Sequence, residues 1–165
     1  ISFGGGGTPD YYKRNYVLQE HTGGIMRNNV VRRTGLSIPI NDVAVYMNKA
    51  AGCRIYNNTF WSTSEGNTSI DMRFDLTYGW IYNNVCSQGL GLRDGGQAIQ
   101  SNNLWSQAGN ESSLFVDYLN NNFHLKSTAT TAINQGLDPS GWVLFDFDGE
   151  SRPKGGAYDI GADEY

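Results

Sequence analysis

The sequence predicts an all-β chain folded as a parallel β-helix of about four coils, with three strands in each coil and a cap at the C-terminal end. Three observations lead to this prediction. An asparagine pair recurs along the chain, short segments rich in β-branched and aromatic residues surround each pair, and no long segment shows helical periodicity.

The asparagine pair lies within repeated segments that resemble one another, namely Ile25–Val31, Ile55–Trp61, Ile81–Cys86 and Ile99–Trp105. The first asparagine recurs after 29, 26 and 19 residues, an interval typical of one supersecondary unit per repeat. Asparagine enters the left-handed backbone region readily, so each pair predicts a sharp corner between two strands. Asparagine side chains stacked at these corners can hydrogen-bond to one another as a ladder.

A third strand is predicted upstream of the asparagine pairs, at Val43–Asn48, Ser69–Phe74 and Gly89–Arg93. Alignment on the pairs places apolar residues on one face, namely Val45, Met72 and Leu92 together with Val43, Ile70 and Leu90. It places Tyr46, Arg73 and Arg93 on the opposite face. This alternation predicts an apolar interior and a polar exterior.

The pattern changes after Trp105, and the charge changes with it. Residues 1–110 hold nine Lys/Arg and seven Asp/Glu, whereas residues 111–165 hold three Lys/Arg and nine Asp/Glu. We expect residues 1–110 to be coils from the C-terminal part of a longer β-helix, and residues 111–165 to be the last coil and the cap of the same domain. A cap is needed because a terminal coil otherwise exposes unpaired strand edges.

Composition excludes some classes of function. The net charge of −4 disfavours a general nucleic-acid-binding protein, and no apolar run is long enough to cross a bilayer. The chain begins at Ile1 without a leader segment, so we expect a processed product or a piece of a longer chain. Its N-terminal face is then expected to stack on preceding coils or on another subunit. Cys53 and Cys86 are expected to be buried thiols.

The sequence resembles the right-handed parallel β-helix superfamily typified by pectate lyases. The most specific signal lies in the C-terminal motifs Phe115-Val116-Asp117, Phe123-His124-Leu125, Ala132–Gly136, Asp148–Pro153 and Asp159–Tyr165. These motifs are similar to the closing segment of secreted bacterial β-helix proteins, many of which are polysaccharide lyases. The resemblance covers about residues 25–165, and it implies a secreted, extracellular or periplasmic bacterial protein.

The resemblance also implies where a substrate would bind, because the groove of β-helix lyases crosses the first strand of each coil. The outward residues there are Tyr46, Asn48, Asp71, Arg73, Asp75, Arg93 and Asp94. Arg73 is the candidate base with Asp71 as its catalytic partner, and Asp71 with Asp75 would hold a calcium ion. Tyr46, Asn48, Arg93 and Asp94 are the candidate substrate-binding residues.

Arg73 and Arg93 are predicted on adjacent coils about 5 Å apart, where two guanidinium groups can bind neighbouring carboxylates of an acidic polysaccharide. The alternative is that Arg73 pairs with Asp71 or Asp75, and Arg93 with Asp94, as ordinary surface ion pairs. Tyr56 and Tyr82 are also expected to stack on adjacent coils, as packing and not as a platform for sugars.

The leading functional prediction is a protein that binds an acidic polysaccharide and cleaves it by β-elimination if it is an enzyme. The first alternative is a non-catalytic extracellular scaffold, an adhesin or an assembly-forming protein. The second is a glycoside hydrolase, which would use two carboxylates such as Asp71 with Asp75 or Asp94.

Overall fold

The computed structural model describes residues 1–5, 18–33, 43–62, 68–139 and 141–165. In chain order the strands are β1 (Ser2–Phe3), β2 (His21–Thr22), β3 (Ile25–Arg27), β4 (Val30–Arg33), β5 (Val45–Asn48), β6 (Ala50–Tyr56), β7 (Thr59–Ser62), β8 (Thr68–Arg73), β9 (Tyr78–Tyr82), β10 (Val85–Cys86), β11 (Gly89–Arg93), β12 (Gln97–Ser101), β13 (Phe115–Asp117) and β14 (Asn122–Leu125). A short helix, α1 (Glu111–Leu114), and a 3-10 turn at Tyr118–Asn120 flank β13.

The strands before Trp105 form three sheets in which every pairing is parallel. Sheet I has the order β1-β5-β8-β11, sheet II the order β12-β9-β6-β2 with β3 also paired to β6, and sheet III the order β10-β7-β4. From β5 to β12 the chain visits sheets I, II and III in turn and then starts again. The predictions of an all-β chain and of parallel pairing are therefore confirmed.

The asparagine pairs lie at equivalent corners between sheets II and III. The first residue of each pair has a positive φ, between 48° and 57°. The second residue donates through both its backbone N–H and its Nδ2 to the Oδ1 of the next pair, with Asn29 bonded to Asn58, Asn58 to Asn84 and Asn84 to Asn103 at 2.9–3.0 Å. The side-chain ladder expected from the sequence is thus present.

A hydrophobic cluster fills the space that the inner faces of the three sheets share. Alternate residues supply it, which is why the period of two along β5 and β8 predicted their buried faces. Its fully buried members include Val45, Met47, Ile55, Ile70 and Met72. Cys53 and Cys86 are buried free thiols, and burial raises the pKa of Cys53 to about 11, so this thiol stays protonated at neutral pH.

One detail of the predicted register is wrong. Val45 pairs with Ile70, not with Met72, and Tyr46 accordingly pairs with Asp71 while Asn48 pairs with Arg73. The connections from sheet I to sheet II have different lengths, since a single residue separates β5 from β6 whereas residues 74–77 separate β8 from β9. A bulge in β6 between Ala51 and Cys53 takes up one residue of this difference. The sequence alignment, which was anchored on the asparagine pairs, therefore misplaces β5 by two residues relative to β8. The same side chains still face the interior, because two residues are one full period of a strand.

The segment 111–165 packs against the outer face of sheet III. Trp61 and Val85 project outward there and join a second hydrophobic cluster with Leu114, Phe115 and Ile160. The segment also bonds to the asparagine corners, since Asn57 Nδ2 donates to Asp159 O at 2.9 Å. The part predicted to be a cap therefore lies along the flank of the repeated strands and touches several of them. Within the described parts of the chain, no helix is long and apolar enough to span a bilayer.

The C-terminal motif that carries the resemblance forms a buried clasp. Arg152 is buried, and its Nη1 donates to Glu164 Oε2 at 3.0 Å while its Nη2 donates to Gly161 O at 2.9 Å. Asp159 accepts the N–H of Asn134 at 2.6 Å and that of Tyr165 at 2.7 Å. The acidic residues of the motif thus accept hydrogen bonds from backbone N–H groups and from the terminal nitrogens of a buried guanidinium.

Candidate functional site

The predicted residues lie together on the outer face of sheet I. Asn48, Arg73 and Arg93 occupy one row across β5, β8 and β11. Tyr46 and Asp71 belong to the neighbouring row, in which the third position is Gly91. The sequence-based placement of Arg73 beside Arg93 therefore agrees with the strand register, and the parallel ladder sets the spacing of the two residues at about 4.8 Å.

Each arginine of this surface is paired with the carboxylate of a neighbouring strand or turn. Arg73 Nε donates to Asp94 Oδ2 at 2.5 Å. Arg93 Nε donates to Asp71 Oδ1 at 2.9 Å and to Oδ2 at 3.2 Å, and its Nη2 also donates to Oδ2. The ion-pair alternative considered for the sequence is thus present, but with the partners exchanged between adjacent strands.

Asp71 is almost completely buried although it lies on the outer face. It is 2% exposed, and the arginine that covers it keeps 48% of its side chain exposed. Gly91 makes room for this pair, because a Cβ at position 91 would lie 2.8 Å from Asp71 Oδ1. The pair is therefore built around a residue without a side chain, and we expect Gly91→Ala to displace it.

The electrostatics of the surface favour charged guanidinium groups. The hydrogen bonds from Arg93 to Asp71 raise the pKa of Arg93, so this residue cannot serve as a base at neutral pH. Arg73 stacks on Phe74, with its Cζ 4.6 Å from the ring centroid, and holds its proton toward Asp94. Two guanidinium groups and two carboxylates leave the cluster without net charge.

Asp71 and Asp75, as they are arranged, do not fit a calcium ion. Both oxygens of Asp71 accept from Arg93, so a cation would have to displace that guanidinium. Asp75 lies in the exposed turn that follows β8. Ca²⁺ needs six or more oxygen ligands that are free to turn toward it, and we therefore derive no step through a metal at this surface.

A different cluster has ligand atoms close enough for a metal ion. The nitrogen and oxygen atoms of His124, Asp148 and Asp163 lie within 4.8 Å of one another. His124 Nδ1 is 2.9 Å from Asp163 Oδ1, and its Nε2 is 3.4 Å from Asp148 Oδ2. Both ring nitrogens already face carboxylates, and Asp163 Oδ2 accepts the N–H of Leu125 at 2.6 Å. This arrangement ties β14 to the C-terminal segment without requiring a metal.

A groove on the outer face of sheet II is the site that the sequence did not predict. Its floor includes Arg54, Tyr56, Trp80 and Tyr82, and its open volume is about 440 Å³. The rings of Tyr56 and Tyr82 are stacked with their centroids 5.1 Å apart, as the spacing of the asparagine pairs predicted. Burial raises the pKa of the Tyr56 hydroxyl, an effect that the nearby Arg54 partly offsets.

The second wall of the groove comes from the C-terminal segment. The guanidinium carbon of Arg54 lies 5.0 Å from the centroid of Trp80 and 4.5 Å from that of Trp142, so the cation is held between two indole rings. Leu137 exchanges two hydrogen bonds with the side chain of Asn83, at 2.8 and 3.0 Å. Arg27 Nη1 also donates to Trp142 O.

The signal for this groove is divided between distant parts of the sequence. The row formed by Tyr56 and Tyr82 was visible as a repeat, and Arg54 and Trp80 each precede that row by two residues. Trp142 is far along the chain, in a segment with no repeat, and no spacing relates it to Trp80. The two indoles come together because residues 135–139 run along the asparagine corners and Trp142 follows them.

The chain matches no protein-family model, no curated protein sequence and no solved structure. The site is therefore interpreted from its own geometry.

Proposed function

We propose that the three parallel sheets are the faces of a right-handed parallel β-helix of the pectate-lyase-like type. The cyclic order of the sheets, the in-register corners and the asparagine ladder all support this proposal. The right-handed sense follows from the general handedness of parallel crossover connections.

We further propose that the protein is secreted and that it binds an acidic polysaccharide across the outer face of sheet I. The observation that carries this proposal is the adjacent position of Arg73 and Arg93, whose side chains are 41% and 48% exposed. Both terminal nitrogens of Arg73 and the Nη1 of Arg93 make no hydrogen bond to any described residue. These nitrogens are held in place by the ion pairs and can donate to the carboxylates of neighbouring sugars.

Binding is the function that the geometry supports best, and cleavage is a separate step of the proposal. Binding requires charged guanidinium groups, which the ion pairs favour. β-Elimination with Arg73 as base would require loss of its proton, so the bond to Asp94 would first have to open. A hydrolase would need two accessible carboxylates, whereas Asp71 is buried under Arg93.

A non-catalytic scaffold is the second candidate, and one observation favours it. The two arginines and the two carboxylates of the sheet I surface form two ion pairs and leave no net charge, as they would on a surface that binds nothing. In both cases β1, β2, β3 and β4 pair on one side only with the strands that the structure describes, and we infer that a further coil or subunit can stack on their other side.

The test is a binding assay with pectate, alginate and a glycosaminoglycan, combined with the ultraviolet absorbance of unsaturated uronic sugars. We expect Arg73→Gln to weaken binding about tenfold through loss of one charged contact, while Lys126→Gln, a matched change on the C-terminal segment, leaves it unchanged. Absorbance that appears with the wild type and disappears with Arg73→Gln would establish cleavage. Absence of binding to every polymer would support the scaffold.

A further inference from the structure

We propose that the groove on sheet II is a second sugar-binding site, which takes a uronate-containing oligosaccharide with its carboxylate on Arg54 and its ring faces on Trp142 and Tyr82. This inference deepens the proposed function and rests on it for the class of ligand. It assigns that ligand to a surface that shares no residue with the outer face of sheet I.

The chemistry of the floor is the first argument. Arg54, Trp80 and Ile99 form one outward row, and Tyr56, Tyr82 and Ser101 form the next, across three adjacent strands. The groove therefore runs across the strands, along the direction in which they stack. Its volume of about 440 Å³ lies within the range of pockets for small molecules, and polar groups are placed among aromatic ones as in such pockets.

The exposure of the aromatic rings is the second argument. Trp142, which lines the groove with Trp80 and Tyr82, keeps 43% of its surface exposed. Tyr78, which packs edge-on against Trp80 beside the groove, keeps 46%. Large rings at such exposure present apolar faces next to polar edges, which suits ligands that are apolar on one face and rich in hydroxyl groups at the rim. A row of such rings along an open groove favours an extended oligosaccharide over a compact ligand.

The position of Arg54 is the third argument, and it selects an acidic sugar. The guanidinium carbon lies 5.0 Å and 4.5 Å from the centroids of the two indole rings, so contacts with both rings fix the position of the cation in the groove. The N–H donors of a guanidinium suit a two-point contact with a planar carboxylate. Gln100 and Ser101 lie at the same groove and offer hydrogen-bonding groups for hydroxyls.

The direct test follows the indole N–H signals of the wild-type protein by NMR during titration with galacturonate oligomers. The chain has four tryptophans, and the signals of Trp80 and Trp142 are assigned by their loss in Trp80→Phe and Trp142→Phe. We expect these two signals to shift with a common binding curve, while that of the buried Trp61 stays in place.

Variants then separate the two sites. We expect Arg54→Gln and Trp142→Ala each to weaken oligomer binding at the groove about tenfold, whereas Tyr165→Ala, an exposed aromatic outside it, has no effect. A neutral glucan oligomer of equal length should bind at least about tenfold more weakly than the galacturonate oligomer, because it lacks the group that Arg54 holds. Thermal unfolding of each variant identifies those that fail to fold, and the wild-type titration does not depend on them.

The outcomes distinguish this inference from the proposed function. If oligomer binding depends on Arg73 and the Trp80 and Trp142 signals do not shift, the sugar site in the groove is overturned and the sheet I surface is supported. Shifts of these signals that survive Arg73→Gln support the groove even if the sheet I surface proves inert. Equal binding of the neutral oligomer overturns the assignment of an acidic ligand, and no binding of any oligomer overturns both proposals.

Discussion

The repeated strands and the C-terminal segment satisfy their buried polar groups by different means. In the repeated strands one residue type does so at every corner, with each asparagine bonded to the next. In the C-terminal segment a single guanidinium, a few carboxylates and backbone donors each bond to a different partner. The difference suggests that the repeated part tolerates the loss of one contact better than the segment tolerates the loss of Arg152.

The largest effect is expected at the centre of the C-terminal clasp. Arg152→Ala leaves Glu164 buried without its counter-charge, and we expect a loss of about 3–5 kcal/mol in the free energy of unfolding. Urea denaturation measures this loss. Lys154→Ala, which removes an exposed ion pair with Glu150, is the matched control. A loss no larger than that of the control would show that the clasp contributes little.

A smaller effect is expected at the asparagine ladder. Asn84→Ala removes an Oδ1 that accepts from Asn58 and an Nδ2 that donates to Asn103, and it leaves buried groups unpaired. We expect a loss of about 2–3 kcal/mol in the same denaturation experiment. Asn110→Ala, a change at an exposed asparagine outside the ladder, should alter the stability far less. Equal losses for the two variants would contradict the stabilising role of the ladder.

The pH dependence of the free energy of unfolding tests one buried carboxylate of the C-terminal segment, that of Asp163. Burial raises the pKa of Asp163 above its usual 3.8, while the Leu125 N–H and His124 partly offset this effect. Because the folded pKa is the higher one, the contribution of Asp163 is fully present below about pH 4 and is lost as the pH rises through the folded pKa. The stability of the wild type relative to Asp163→Asn should therefore fall with rising pH in that window.

The slope of that difference should not exceed about 1.4 kcal/mol per pH unit, the limit for one proton. Urea denaturation of both proteins at a series of pH values gives the slope directly. A wild type that gains stability over the variant as the pH rises would show that the hydrogen bonds to Asp163 outweigh its burial.

The smallest effect is expected on the outer face of sheet I. Arg73 and Asp94 are both well exposed, so we expect Arg73→Ala to change the free energy of unfolding by less than about 1 kcal/mol. The effect should shrink further in high salt. A larger loss would assign Arg73 a structural role, and it would weaken the case for a binding surface at this row.

The sequence predicted the repeated strands better than the C-terminal segment. Three features were predictable because their sequence patterns recur along the chain: the asparagine corners, the parallel strands and the alternation of buried residues. The outward positions of Asn48, Arg73 and Arg93 followed from the alternation. The predicted row placed Tyr46 in line with Arg73, where the structure has Asn48, because the connecting turns differ in length. The exchanged ion pairs depend on Gly91, whose effect is visible only in three dimensions.

The groove on sheet II could not be predicted, for a physical reason. Its wall belongs to a segment whose path is set by single contacts, such as that between Leu137 and Asn83, and not by a repeated pattern. Trp142 was therefore an unassigned aromatic residue, and Arg54 was one of several basic residues of the body. The stacked tyrosines were predicted correctly but interpreted as packing alone.

The asparagine ladder has a polarity. Every amide in it donates in one direction, from Asn29 toward Asn103, so its dipoles add instead of cancelling. One terminus presents the acceptor Oδ1 of Asn29, to which no described residue donates, and the opposite terminus ends in the amide donors of Asn103. A further asparagine pair can therefore extend the ladder head-to-tail but not head-to-head, so the ladder gives the row of corners a fixed direction of growth.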